Sequence, residues 1–161
     1  MTRDEPSGRG VAMSGPVERA LDELIARHDG RAAGLWRRDG DALRQVAFRP
    51  APDLPDGVRD GFAAATLRVP LSATDLSIVQ AAVAGRPVLA IASALPPDAG
   101  SGRWLRAFGA ACSLAVPLGP SRGVLSVALR SVPADPDGLA GAIRAIGDGL
   151  PTDDSGSDVA I

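Results

Sequence analysis

An α+β domain built around an antiparallel sheet is the fold class this sequence predicts, on three observations. An amphipathic helix opens the patterned region, pairs of strands joined by short turns lie near both of its ends, and a second amphipathic helix closes it. Strand pairs of that kind exclude a purely parallel, doubly wound sheet, whose strands need long crossovers.

The elements follow in order. From Pro16, Val17, Ala20, Leu21, Leu24 and Ile25 recur at i, i+3, i+4, i+7 and i+8, one stripe of a helix with proline at its start and Gly30 after its end. Residues 32–38 and 42–49 flank Asp39-Gly40, a dipeptide suited to the positive φ of a tight hairpin turn. Val46 and Phe48 keep the two-residue period of a strand face. Residues 49–55 are a proline-rich loop, after which Asp56 is placed to cap a short helix that buries Val58 and Phe62.

Leu67, Val69 and Leu71 alternate in an extended piece. It ends in Ser72-Ala-Thr-Asp75, a capping-box-like start for a helix with Leu76, Val79 and Val83 inward. Gly85 stops that helix and Pro87 forbids its continuation. Residues 88–92 read as a short buried strand, and Pro96, Pro97, Gly100 and Gly102 as a long loop before Trp104, Leu105 and Phe108. Residues 112–118 and 123–130 are the strongest strands, a central hairpin with Cys112, Leu114, Val116 and Leu118 on one face. Asp135-Pro136 caps a last helix carrying Leu139, Ala142, Ile143, Ile146 and Leu150.

This gives one domain over residues 15–150 between tails at 1–14 and 151–161, which lack hydrophobic period and are expected to be disordered. Nothing before Met13 looks structured, so Met1 and Met13 are both candidate starts. At 161 residues with 45% apolar content, the chain is long enough to bury one core without staples.

Composition removes several function classes. A net charge of −2 argues against a nucleic-acid partner, because phosphate binding needs clustered positive charge. No apolar run approaches a membrane span, and the N-terminal residues contain no signal-type apolar region, so a cytoplasmic location is expected. The 17 basic residues are all Arg, a bias of GC-rich, bacterial-type coding, and the absence of Lys removes Schiff-base and Walker-lysine chemistry. A single Cys makes no internal disulfide and no zinc cluster. No metal or cofactor is implied.

The run Leu67-Arg-Val-Pro-Leu-Ser-Ala-Thr-Asp-Leu-Ser-Ile-Val-Gln-Ala-Ala-Val-Ala-Gly-Arg-Pro-Val88 is followed by Cys112-Ser-Leu-Ala-Val-Pro-Leu118 and Arg122-Gly-Val-Leu-Ser-Val-Ala-Leu129. Together these resemble the GAF domain family over roughly residues 16–150, with Gly85-Arg-Pro87 and Ala115-Val-Pro-Leu118 as the carrying segments. The resemblance implies a central six-stranded antiparallel sheet, the first and last helices packed together on one face and a ligand pocket on the other. PAS/profilin-like and roadblock-type domains are the structural alternatives. Two departures narrow it. The Asn-Lys signature of cyclic-nucleotide-binding members is missing, since the chain has neither residue type. Cys112 is followed by Ser113, not by the His that accompanies a bilin-attaching Cys, and methionine-sulfoxide-reducing members use several Cys.

The candidate chemistry is sparse. Cys112 alternates with Leu114 and Val116 as a core thiol does, and His28 sits in the last turn of the first helix. Neither has a sequence neighbour able to activate a nucleophile or complete a metal site. Asp53, Asp56 and Asp60 fit capping and solvation, and Gly100-Ser-Gly102 lacks the context of a phosphate cradle. Trp104 and Phe108, at i and i+4, share a helix face and fit either core packing or an aromatic pocket wall. By analogy with the family, Ser93, Asp75, Arg103 and Ser113 supply the polar contacts of such a pocket.

No catalytic site is assembled in the sequence. The expectation is a sensory or regulatory module that binds a small molecule or a signalling protein and acts through its terminal helices. The alternatives are a ligand-free docking module working as a homodimer, and a thiol enzyme using Cys112.

Overall fold

The computed structural model describes residues 15–119 and 123–151. The expected tail at 1–14, all but Pro151 of the tail at 151–161, and most of the turn at 119–123 lie outside the described residues. The elements run α1 (Pro16–His28), β1 (Gly30–Asp39), β2 (Ala42–Pro50), α2 (Asp56–Ala65), β3 (Arg68–Pro70) and α3 (Ser77–Ala84). They continue with β4 (Val88–Ile91), a 3-10 turn (Ala92–Ala94), α4 (Gly100–Phe108), β5 (Cys112–Pro117), β6 (Val124–Leu129) and α5 (Pro136–Asp148). The strands form one six-stranded sheet in the order β3-β2-β1-β6-β5-β4, every pair antiparallel.

Strand alternation divides the core in two. On one face Ala33 and Leu35 of β1, Cys112, Leu114 and Val116 of β5, and Leu125, Val127 and Leu129 of β6 pack under Leu21 and Leu24 of α1 and Ile143 of α5. There α1 lies over β1, β2 and β6, and α5 lies over β5 and β6. The first and last helices therefore share one face, as the family likeness implies. On the other face α2, α3 and α4 cover Trp36, Phe48, Ala115, Val124 and Ala128. Among the described residues, no helix is long and apolar enough to cross a membrane.

The β1–β2 turn closes through Gly40 at φ 63°, and the Asp135 carboxylate caps α5 by accepting from the Gly138 N–H at 3.0 Å, both as the sequence predicts. Several expectations are corrected. Asp56 is the first residue of α2, not its cap, and pairs with Arg59 at 3.4 Å. The helix expected after Asp75 begins at Ser77, so its inward residues are Ile78, Val79 and Ala81, and Val83 is 63% exposed. Only three residues of the 67–71 piece pair as a strand, and Leu67 points out. β4 is an edge strand and only half-buried. The long loop is shorter than expected: α4 begins at Gly100, and the Gly-Ser-Gly start that reads as a breaker is packed against Asp75, just before α3, and against Leu95 and Pro96 of the loop. Val46 and Phe48 also part company. Leu35 pairs with Ala47 but Trp36 with Gln45, so Val46 is an extra, bulged residue that leans on the α1 side while Phe48 points to the opposite core.

Candidate functional site

A small cavity of about 50 Å³ lies between the sheet and the helices α2, α3 and α4. Its walls are aromatic and hydroxylic: Trp36 from β1, Phe62 from α2, Trp104 and Phe108 from α4, with Ser77, Ser101, Ser113, Ser126 and Thr66 supplying hydroxyls. None of its lining residues is ionisable.

The aromatic wall is a single cluster centred on Phe62. Its ring lies 5.0 Å from Phe48, 5.1 Å from Trp104, 5.1 Å from Phe108 and 6.1 Å from Trp36, mostly edge to face. These are all the aromatic residues in the sequence, three Phe and two Trp with no Tyr. Trp36 is fixed by its indole N–H, which donates to the Thr66 carbonyl at 2.9 Å. The Thr66 hydroxyl in turn donates to the Phe62 carbonyl at 2.8 Å.

On the hydroxyl side, the α3 N-terminus has no side-chain cap of its own. Ser101 of α4 supplies one from across the cavity, its Oγ accepting from the Ser77 N–H at 2.8 Å. The Ser101 N–H donates to the Asp75 carbonyl at 2.9 Å, so the two helix starts hold each other. Gly100 makes the approach possible. At φ 59°, a Cβ there would stand 2.3 Å from the Asp75 carbonyl oxygen. Ser77 and Ser113 place their hydroxyl oxygens 3.4 Å apart on the cavity wall.

The other end of α4 is held by Arg31. This buried guanidinium donates from Nε to the Phe108 carbonyl at 2.8 Å and from Nη1 to Asp53 at 2.6 Å. The Asp53 carboxyl is held below the usual carboxylate range, first by the Arg31 hydrogen bond and then by the Arg31 and Arg130 charges.

Of the residues expected to line a pocket, Trp104, Phe108 and Ser113 come together here. Three do not. Ser93 is exposed in the 3-10 turn, Asp75 contributes only its backbone carbonyl, and Arg103 lies outside with its guanidinium 5.1 Å from the Trp104 ring. Trp36, Phe62, Ser77 and Ser101 are pocket residues that the sequence does not single out, because elements far apart in the chain bring them together. Phe62 reads only as a buried helix residue, and Trp36 left a trace in sharing the strand parity opposite to Leu35. Asp53 is not merely solvated but pairs with a buried Arg. Cys112 is buried in the other core, where desolvation pushes its thiol up. Among the described residues, no group of His, Cys, Asp and Glu could hold a metal ion.

No protein-family model matches the sequence, and no curated protein matches it. Solved structures do. The GAF domain/HD domain protein from Geobacter sulfurreducens matches with a TM-score of 0.61 at 15% identity, over 83% of this chain and 85% of that one. The type II free methionine-R-sulfoxide reductase from Thermoplasma acidophilum matches with a TM-score of 0.57 at 13% identity, over 82% and 84%. Residues 122 to 287 of a methyl-accepting chemotaxis protein match with a TM-score of 0.55 at 18% identity, over 80% of each chain. At such identities the likeness is one of fold, and in fold this chain is a GAF-like domain.

Proposed function

We propose that this chain is a cytosolic regulatory module whose pocket takes a small, uncharged molecule carrying a flat apolar ring, and whose output surface is the α1 and α5 face. The observation behind this reading is the cavity lining: an aromatic wall facing hydroxyls, with no ionisable side chain. A charged ligand would lose its hydration there and gain no counter-charge, whereas a neutral heterocycle would stack on Phe62 and Trp104 and hydrogen-bond to Ser113 or Ser126. Fold likeness to part of a methyl-accepting chemotaxis protein agrees with a sensory role. Catalysis has no support in the site: the lone thiol lies in the opposite core, and no base lines the cavity.

Size sets the mechanism. About 50 Å³ is well below the roughly 150 Å³ of a cavity that holds benzene. On this reading a ligand enters by displacing α4 from the Ser77 clasp. The same small volume favours a second reading, in which the pocket is permanently packed and the chain is a docking module for a second copy or a signalling protein.

Thermal shift and calorimetry with indole, phenol and adenine as probes separate the two. Under the ligand reading, at least one probe raises Tm, with a stabilisation of about 2.7 kcal/mol at a hundredfold excess over Kd, and Ser126→Val abolishes the rise by filling the cavity. Under the packed reading no probe acts, and Ser126→Val leaves the protein equally or more stable. That outcome overturns the ligand reading.

A further inference from the structure

Arg31 occupies an unusual place between the two faces of the sheet. In the pairing of β1 with β6, Gly30 faces Leu129 and Ala32 faces Ala128, so Arg31 is an extra residue on β1. Such a bulge re-aims a side chain. By simple alternation Arg31 would share the parity of Ala33 and Leu35, under α1; instead its guanidinium reaches the C-terminal end of α4 and is 8% exposed.

Phe108 joins the two ends of this contact. Its ring lines the pocket, and its carbonyl accepts from Arg31 Nε at 2.8 Å. Two residues, Asp29 and Gly30, separate Arg31 from the end of α1. The cap of α1 is Asp29, held at φ 56°, the only positive φ outside glycine among the described residues. The Asp29 carboxylate receives Arg130 at 3.1 Å, and Arg130 also reaches Asp53, the charge partner of Arg31, at 3.5 Å. A guanidinium stays charged at any ordinary pH and when buried needs its acceptors. Movement of the Phe108 carbonyl away from it must therefore be answered by movement of Arg31 or of Asp53.

We propose that Arg31 is the positioning residue that couples the pocket to α1: displacement of α4 withdraws the Phe108 carbonyl, and the strain passes through Arg31 to the Asp29 cap and the last turn of α1. The other terminal helix, α5, packs on β5 and β6, and none of these ion pairs reaches it. It is the internal control. The proposal rests on α4 as the gate of the pocket but not on any ligand.

Hydrogen exchange tests it. Gly100→Ala releases the far end of α4, since its Cβ would collide with the Asp75 carbonyl; Ser101→Ala, which removes only the Ser77 cap, is the milder release. Expected are faster exchange in α4 and about five- to tenfold faster exchange at residues 25–28 of α1, with α5 unchanged. In an Arg31→Met background, residues 25–28 are already fast and the release adds less than about twofold. Arg31→Lys, which keeps the charge but loses the planar fork, serves as a second background should the Met variant not fold.

Equal acceleration of α1 with and without Arg31, acceleration of α5 as large as that of α1, or an α4 unmoved by loss of the clasp would each overturn the proposal. Because no ligand enters the experiment, coupling stands even if the probes of the preceding section fail to bind. Its absence would leave probe binding untouched.

Discussion

The two faces of the sheet are built from different materials. Under α1 and α5 the core is wholly aliphatic apart from Cys112, drawn from Val, Leu, Ile and Ala, and its largest members such as Leu21, Leu125 and Ile143 have no exposure at all. Under α2, α3 and α4 lie every aromatic side chain of the protein, a row of hydroxyls and the cavity. Branched aliphatics interlock in fixed rotamers and resist change. Ring edges and hydroxyls slide and re-pair at lower cost, because each Ser can exchange one partner for another or for water. The contrast assigns stability to the first face and adaptability to the second.

Leu125→Ala strikes the aliphatic face where it is most enclosed and should cost about 2 to 5 kcal/mol. In a melting experiment that is a fall of about 6 to 15 °C. A loss below about 1 kcal/mol would show that this core relaxes as readily as the other and would end the comparison. Trp104→Leu probes the opposite side. Trp104 is only half-buried and is backed outside by Arg103, so about 1 kcal/mol is expected, with native-like circular dichroism and enhanced entry of small aromatic probes.

The smallest effect is expected where the faces meet, at Asp53. Its carboxyl is depressed by Arg31, so it binds protons more readily in the unfolded chain than in the folded one. The stability it contributes is present above the ordinary carboxylate range and lost as pH falls through its lowered folded value. Unfolding midpoints measured from neutral to acid pH should show this loss in the wild type, and Asp53→Asn should flatten that part of the curve. An unchanged acid slope in the variant would show that the Arg31 contact carries no linkage.

Legibility follows the same division. The aliphatic face is nearly readable in sequence, because the stripe Val17, Leu21, Leu24 and Ile25 and the alternation Cys112, Leu114 and Val116 each report a local period. The pocket face is readable only in part. Trp104 and Phe108 stand out by spacing, but Phe62 gives no sign that it is the hub of the cluster, and Ser101 none that it caps another helix. Val46 and Phe48 mislead, because a bulge reverses the face of one against the other. The start of α4 misleads as well, since Gly100 and Gly102 are poor helix formers whose presence is explained by what they touch.

What this sequence determines by itself is therefore what short-range periodicity can encode: which segments are helix or strand, which residues of most elements turn inward, and that two amphipathic helices bracket the sheet. Tertiary structure alone decided which hydroxyls converge on the cavity, how little room the rings leave, and that Arg31 reaches across to the Phe108 carbonyl. The physical reason is separation along the chain. Arg31 and Phe108 lie 77 residues apart, and neither a bulge nor a contact at that distance leaves a pattern in the residues beside it.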